Sequence, residues 1–555
     1  MNWSSPQASS VPKYRFVFAA ASTRSRLRAA LVGPVSGVAL LLLASSSNTL
    51  AETDLPHPLF TWSLSPASGD WNTAVNWMPP GIPDTQGERA AFGSSSITTV
   101  STAGTTVHSI TFDPGASQFI LNGDFTFNAG GVVNKSGIMQ TFNGTFRFQK
   151  KGATAGNLVT YNTDSVFFDK NTTAGRATFV NSGIIKFFGG IDQQTTAGEA
   201  TIINNGQIYF HKADAGSATI TNDGGATFGA DGALIRFAKS SATSSTIINN
   251  GGLVFGGKGA RLIFHNSVAD SATVIANGGR GPGSGATILF ADDSSGDSAR
   301  IEVFGNGSLD VSRPNPISDT VGSIEGNGLV FLGSSSLSVG NNNLNTTFAG
   351  LISDSGGFQE GIGGSLTKTG TGTLILSNAN AYTGGTVING GALVVTNTAG
   401  SGTGSGAVQA DVGTLGGTGT IAGAVTVGTG SGSGAILSPG ATAGDLATLT
   451  IQSSLTFNSD GICQVELNST TTGSDEIVAN GVTINGAAQF SITDLGSSTL
   501  PVGTVFSIIS NSAAIPIAGT FANLPDGSTI TVGSNTFQAS YEGGEGNDLT
   551  LTVVP

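Results

Sequence analysis

The chain has 555 residues, 83 of them Gly, and only 10% of its side chains are charged, against about 25% in ordinary globular domains. Glycine does not recur at every third residue, which excludes a collagen, and strong helix formers are scarce after residue 51, which excludes bundles and coiled coils. A formal charge of −13 disfavours nucleic acid, which needs a basic footprint, while 38% hydrophobic residues suffice for a large all-β core.

Residues 1–51 carry five basic residues (Lys13, Arg15, Arg24, Arg26, Arg28) and no acid. An apolar stretch, Val35–Ala44, follows, and then the small residues Thr49 and Ala51. Basic, apolar, small is the order of a secretory signal, with cleavage expected between Ala51 and Glu52. A membrane anchor is the alternative, but Ala29–Ala44 is interrupted by Gly33 and Pro34 and falls short of the roughly 20 residues a span needs. Removing the leader leaves 17 basic against 35 acidic side chains, a net −18, and no integral membrane segment is expected after that. The expected location is outside the cell, extracellular or at the surface, with outer-membrane association as a variant. Cys463, the sole cysteine, reads as a small buried apolar residue.

Three of the four tryptophans, Trp62, Trp71 and Trp77, lie close together. Residues 52–96 are expected to form an N-terminal cap that closes the first sheet edge. The competing reading is an aromatic platform that stacks sugar rings.

Residues 97–316 read as irregular repeats. One phrase returns as ATFVNSGIIKFF from Ala177, ATIINNGQIYF from Ala200, ATITNDGGATF from Ala218 and STIINNGGLVF from Ser245, with looser copies at Ala272 and Ala299. Equivalent positions are Val159, Thr178, Thr201, Thr219, Thr246, Thr273 and Arg300. Each unit is a β-branched strand, an Asn/Gly corner such as Asn205-Gly206 or Asn250-Gly251, and a second strand ending in an aromatic. Asn-Gly also marks hairpins, but recurrence at coil-like intervals favours a solenoid whose rungs stabilise one another. The expected fold is all-β, a right-handed parallel β-helix capped at both ends. About 20 rungs at ~4.8 Å would make a rod of roughly 95 Å.

After Pro314-Asn315-Pro316 a single basic residue, Lys368, faces 15 acids. Residues 317–363 continue the rungs, 364–460 form the next region, and the longer alternating strands of 461–555 read as a C-terminal β-domain. Gly428–Gly434 reads as a tight turn between rungs, with a flexible loop as the alternative.

From Gly364 to Leu393 the chain reads GSLTKTGTGTLILSNANAYTGGTVINGGAL. This resembles the autotransporter-associated β-strand repeat of bacterial passenger domains, through Lys368, Gly370, Gly372, Leu374, Leu376, Tyr382, Thr383, Gly384, Thr386, Gly391 and Leu393. Asn378 stands where the family usually has Gly, and is expected to take the same left-handed corner. Downstream phrases, including SYEGGEGNDLTLT from Ser540, are similar to the usual continuation of such proteins. The resemblance implies a passenger-type β-helix, and no stretch of the sequence reads as the strands of a translocator barrel.

A β-helix can also host polysaccharide lyases and glycosidases, whose chemistry needs converging carboxylates. The candidates are Asp292, Asp293 and Asp297, read as a solvated loop; Asp475-Glu476, read as exposed; and Glu542, Glu545 and Asp548, in a single calcium-nonapeptide-like phrase better read as a terminal turn. His57, His108, His211 and His265 show no metal-ligand spacing. No catalytic residue, metal or cofactor is therefore expected. The expected role is a non-enzymatic structural or adhesive scaffold. Polysaccharide or cell-surface components are the expected partners, nucleic acid is not, and self-association is allowed. A polysaccharide-degrading enzyme is the runner-up, and a matrix or filament component the third reading.

Overall fold

Alternation sets the strands: in Thr287–Ala291 and Gly461–Asn468 every second side chain is buried. A computed structural model describes residues 57–190, 194–313 and 318–555. The leader, the Ala51/Glu52 cleavage position and the Pro314–Pro316 boundary lie outside those residues. Helical structure among the described residues is one 3-10 turn, Ala74–Asn76.

One turn of the chain visits three faces. The turn around residue 200 touches a first face at Thr196, a second with strand Thr201–Asn204 and a third with strand Gln207–His211, and regains the first at Asp214. Every visit pairs parallel with the same position of the next turn. On the second face Thr201, Thr219, Thr246, Thr273 and Arg300 lie opposite one another in sequence. On the third, Gln207, Leu234, Arg261 and Thr287 do the same. The chain is a parallel β-helix, and its Asn-Gly corners turn it between faces instead of closing hairpins.

The register matches the sequence expectation from Thr178 onward and misses it by one residue before that. Thr178 pairs with Thr160, not Val159. Leu158 adopts a left-handed φ of +52° and adds a bulge residue that plain counting does not see. The longer steps also have a structural cause. Around 223–233, 250–260 and 277–286 the corner between second and third faces opens into a glycine-rich loop, and these loops stack as the coils do (Gly225 N to Lys258 O 2.8 Å, Gly252 N to Ser284 O 2.7 Å).

The interior is built from side-chain columns. Phe127, Phe148, Phe168, Phe187, Phe210, Phe237, Phe264 and Phe290 stack one ring per turn, with centroids 4.5–5.0 Å apart and planes within 15° of parallel. At the neighbouring corner Asn181, Asn204, Asn222 and Asn249 are fully buried. Each amide donates to the next at 2.6, 2.7 and 3.0 Å. Buried amides without partners would be costly, and a ladder satisfies each donor with the next acceptor.

At the N-terminal end Leu59–Trp62 pairs parallel with Arg89–Phe92 and antiparallel with Trp77–Met78. The region expected as an N-terminal cap also carries the first rungs of the ladder. At the other end, parallel pairing runs on past residue 461 to Gln489–Asp494 and Val505–Asn511. Only there does an antiparallel sheet of Val505–Asn511, Asp548–Val554, Asn535–Gly543 and Thr529–Val532 close the rod. Parallel rungs continue past 461, the expected start of the terminal domain, because strand length and apolar alternation in the sequence do not say whether a strand pairs parallel or antiparallel.

Candidate functional site

The two coils across Leu366–Val395 contain the densest motif in the chain. Strands Ser365–Lys368 and Thr373–Leu376 form one rung on two faces, and Thr386–Val395 lies along both of them as the next rung. Leu374, Leu376 and Leu393 fill the core. Lys368 is buried, and its ammonium donates to the carbonyls of Thr369 at 2.6 Å and Gly390 at 3.3 Å. Burial pulls that ammonium down to about 8. Gly370 and Gly391 hold φ of +67° and +61°. A Cβ on Gly391 would lie 2.2 Å from the Gly372 carbonyl oxygen, so a side chain is excluded twice over. Buried Tyr382 shares a 2.6 Å hydrogen bond with Thr386. The Thr383 hydroxyl donates to Asp354 Oδ2 at 2.6 Å, and Gly384 N donates to the Gly364 carbonyl at 2.8 Å. Asn378 corrects one expectation: its φ is not left-handed, so the corner asks nothing special of it. The motif residues lock one coil to its neighbours, and none of them presents reactive chemistry to a cleft.

The other sequence candidates fall in different places. Trp62, Trp71 and Trp77 are buried, and each indole N–H donates to a backbone carbonyl, those of Ile97, Pro83 and Trp71 respectively. The sugar-platform reading is overturned, because no ring face is open to a ligand. Asp292, Asp293 and Asp297 are exposed, with Asp292 2.6 Å from His265 Nδ1. His57 and His108, remote in sequence, stack at 4.0 Å. Asp475 is fully buried, not exposed. Its two oxygens accept from Ala447 N at 2.9 Å and Glu466 N at 2.8 Å, which ties neighbouring segments together. The phrase from Gly543 to Asp548 is a hairpin turn. Among the described residues no group of three or more His, Cys, Asp or Glu is placed to hold a metal. Cys463 is buried, and burial pushes its thiol up.

Sequence reading missed the outer side of the third face. The central strand position there points outward, between the two core side chains. Parallel register stacks Arg147, Phe167, Lys186, Tyr209 and Arg236 at that position. The Arg147 guanidinium lies 5.3 Å from the Phe167 ring centre, and the Lys186 ammonium 5.8 Å from both Phe167 and Tyr209. A hollow of about 330 Å³ is lined by Lys186, Tyr209 and Arg236, and a larger groove of about 1060 Å³ follows the next corner past Lys212 and Lys239. The signal was present in the middle letters of IIKFF, QIYFH and LIRFA, which become neighbours only once the register is known.

Residues 366–395 match the family model of the passenger-associated-transport-repeat. The transport repeat covers the Lys368 coil and the coil after it, and lies two residues further along than the sequence resemblance. It points to an autotransporter passenger-type domain and implies a secreted or cell-surface protein. No curated protein matches the chain.

Proposed function

We propose that the chain is an exported passenger-type β-helix that acts as a non-enzymatic structural or adhesive scaffold, displaying its outer faces and corner loops to polysaccharide or cell-surface partners. The observation that carries this reading is the transport repeat, built into the parallel ladder as two successive coils. A rod whose coils are held by buried ladders keeps its surface residues at fixed spacing, which is what a display scaffold requires.

Export is tested by expressing the full tagged chain in a Gram-negative host and treating intact cells with protease. The tag is expected in the medium or in the protease-sensitive fraction. Retention in the cytoplasm would sink the proposal. Release of new reducing ends from a panel of polysaccharides is expected to stay at background, and turnover would revive the enzyme reading.

A further inference from the structure

We propose that the outward row from Arg147 to Arg236 is a binding track for an acidic polysaccharide lying along the rod. The proposal deepens the scaffold reading by assigning that scaffold a ligand class. Along the row cation and aromatic alternate: Arg147, Phe167, Lys186, Tyr209, Arg236. Successive rungs are ~4.8 Å apart, so like residues recur at roughly 9.6 Å. One rung is close to the length that one pyranose adds to a glycan, so a sugar charged on every second ring would meet a cation, then an aromatic face, in turn. Apolar C–H faces of sugars stack on rings such as Phe167 and Tyr209, while carboxylates or sulfates pair with the cations.

The charges on the row are available. Arg147 is tied to Asp169 at 3.0 Å, but among the described residues neither Lys186 nor Arg236 has an ion-pair partner. Lys212 and Lys239 extend the positive surface around one corner, where Asp214 is the facing carboxylate. On the other side Arg261 sits beside the Asp231–Lys258 pair, which is closed at 2.6 Å. This basic and aromatic surface belongs to a chain of net −18 after its leader. That background field opposes a polymer charged at every unit, such as nucleic acid, more than a glycan charged at alternate rings.

The test uses the purified full chain and three probes: hyaluronan, which carries one carboxylate on every second ring, its fully methyl-esterified form, and a single-stranded DNA of matched charge. Hyaluronan is expected to bind with a Kd below ~1 mM. Methyl esterification, Lys186→Ala with Arg236→Ala, and Tyr209→Ala are each expected to weaken binding by about tenfold or more. Lys135→Ala, away from the row, is expected to leave binding unchanged, and thermal midpoints verify that the surface variants fold. No binding of hyaluronan overturns the proposal. So does equal binding of its neutral ester, equal binding of DNA, or indifference to the row substitutions. An exported chain that fails to bind defeats this inference alone, whereas a binding chain that stays inside the cell defeats the export reading alone.

Discussion

Both carboxylate oxygens of Asp475 are taken by backbone amides, which makes this residue a clamp between segments. Asp475→Ala would leave two buried N–H groups unpaired, and a loss of about 2–4 kcal/mol is expected from urea unfolding. Burial lifts the Asp475 carboxyl from 3.8 to about 6 despite those two hydrogen bonds. The folded chain therefore binds more protons than the unfolded one between pH 4 and 6, so the stability this group adds is full below pH 4 and fades as pH rises through 6. Asp475→Asn is expected to flatten that part of the stability profile. A wild-type profile that rises from pH 4 to 6 and keeps its slope in the variant would refute the assignment. The sequence hid this residue because Asp-Glu ahead of a strand usually marks exposed chain, and only the fold brings the Ala447 and Glu466 amides to it. Lys368 was visible through its motif, but its three-dimensional task, bonding carbonyls across a glycine corner, was not.

Elements in this fold are columns more than strands, and a column is as strong as its least replaceable member. Phe237 stacks on Phe210 at 4.5 Å and on Phe264 at 5.0 Å. Phe237→Ala opens a cavity bordered by both rings, and a loss of about 3–5 kcal/mol is expected. Phe228, on a corner loop only nine positions earlier, is 81% exposed, and Phe228→Ala is expected to change stability by less than ~0.5 kcal/mol. Comparable losses for both in denaturant titrations would contradict the column picture. The sequence showed the columns well, since a β-branched strand, an Asn corner and an aromatic end recur together and could only be satisfied by stacking. It showed the outward row poorly. Arg, Phe, Lys and Tyr share no chemical type, so no periodic search for one residue class aligns them. The buried tryptophans misled in the opposite direction, because clustered aromatics look alike in a core and on a surface.

At the scale of the whole rod, each coil bonds mainly to the turns before and after it. Thr219, Thr246 and Thr273 occupy equivalent places in one ladder, so deleting residues 246–272 joins Ser245 to Thr273 in register. The shortened chain is expected to fold with its melting temperature within about 5 °C of the parent. A deletion of half a coil, which throws inward residues outward, is expected to leave it unfolded. Equal behaviour of the two deletions in thermal melts would count against stacking as the source of stability. The backbone hydrogen bonds between coils point along the rod, and this decides how the molecule answers force. Tension applied at its two ends loads the bonds of the outermost turn in line and leaves those deeper in the stack at rest. The turns then come off like thread from a spool. A 27-residue coil such as that from Asn222 to Asn249 would release up to about 90 Å of chain, a stepwise lengthening visible in single-molecule pulling. A chain fixed at one end and gripped at the other would yield by extending while the rest of the rod stays folded.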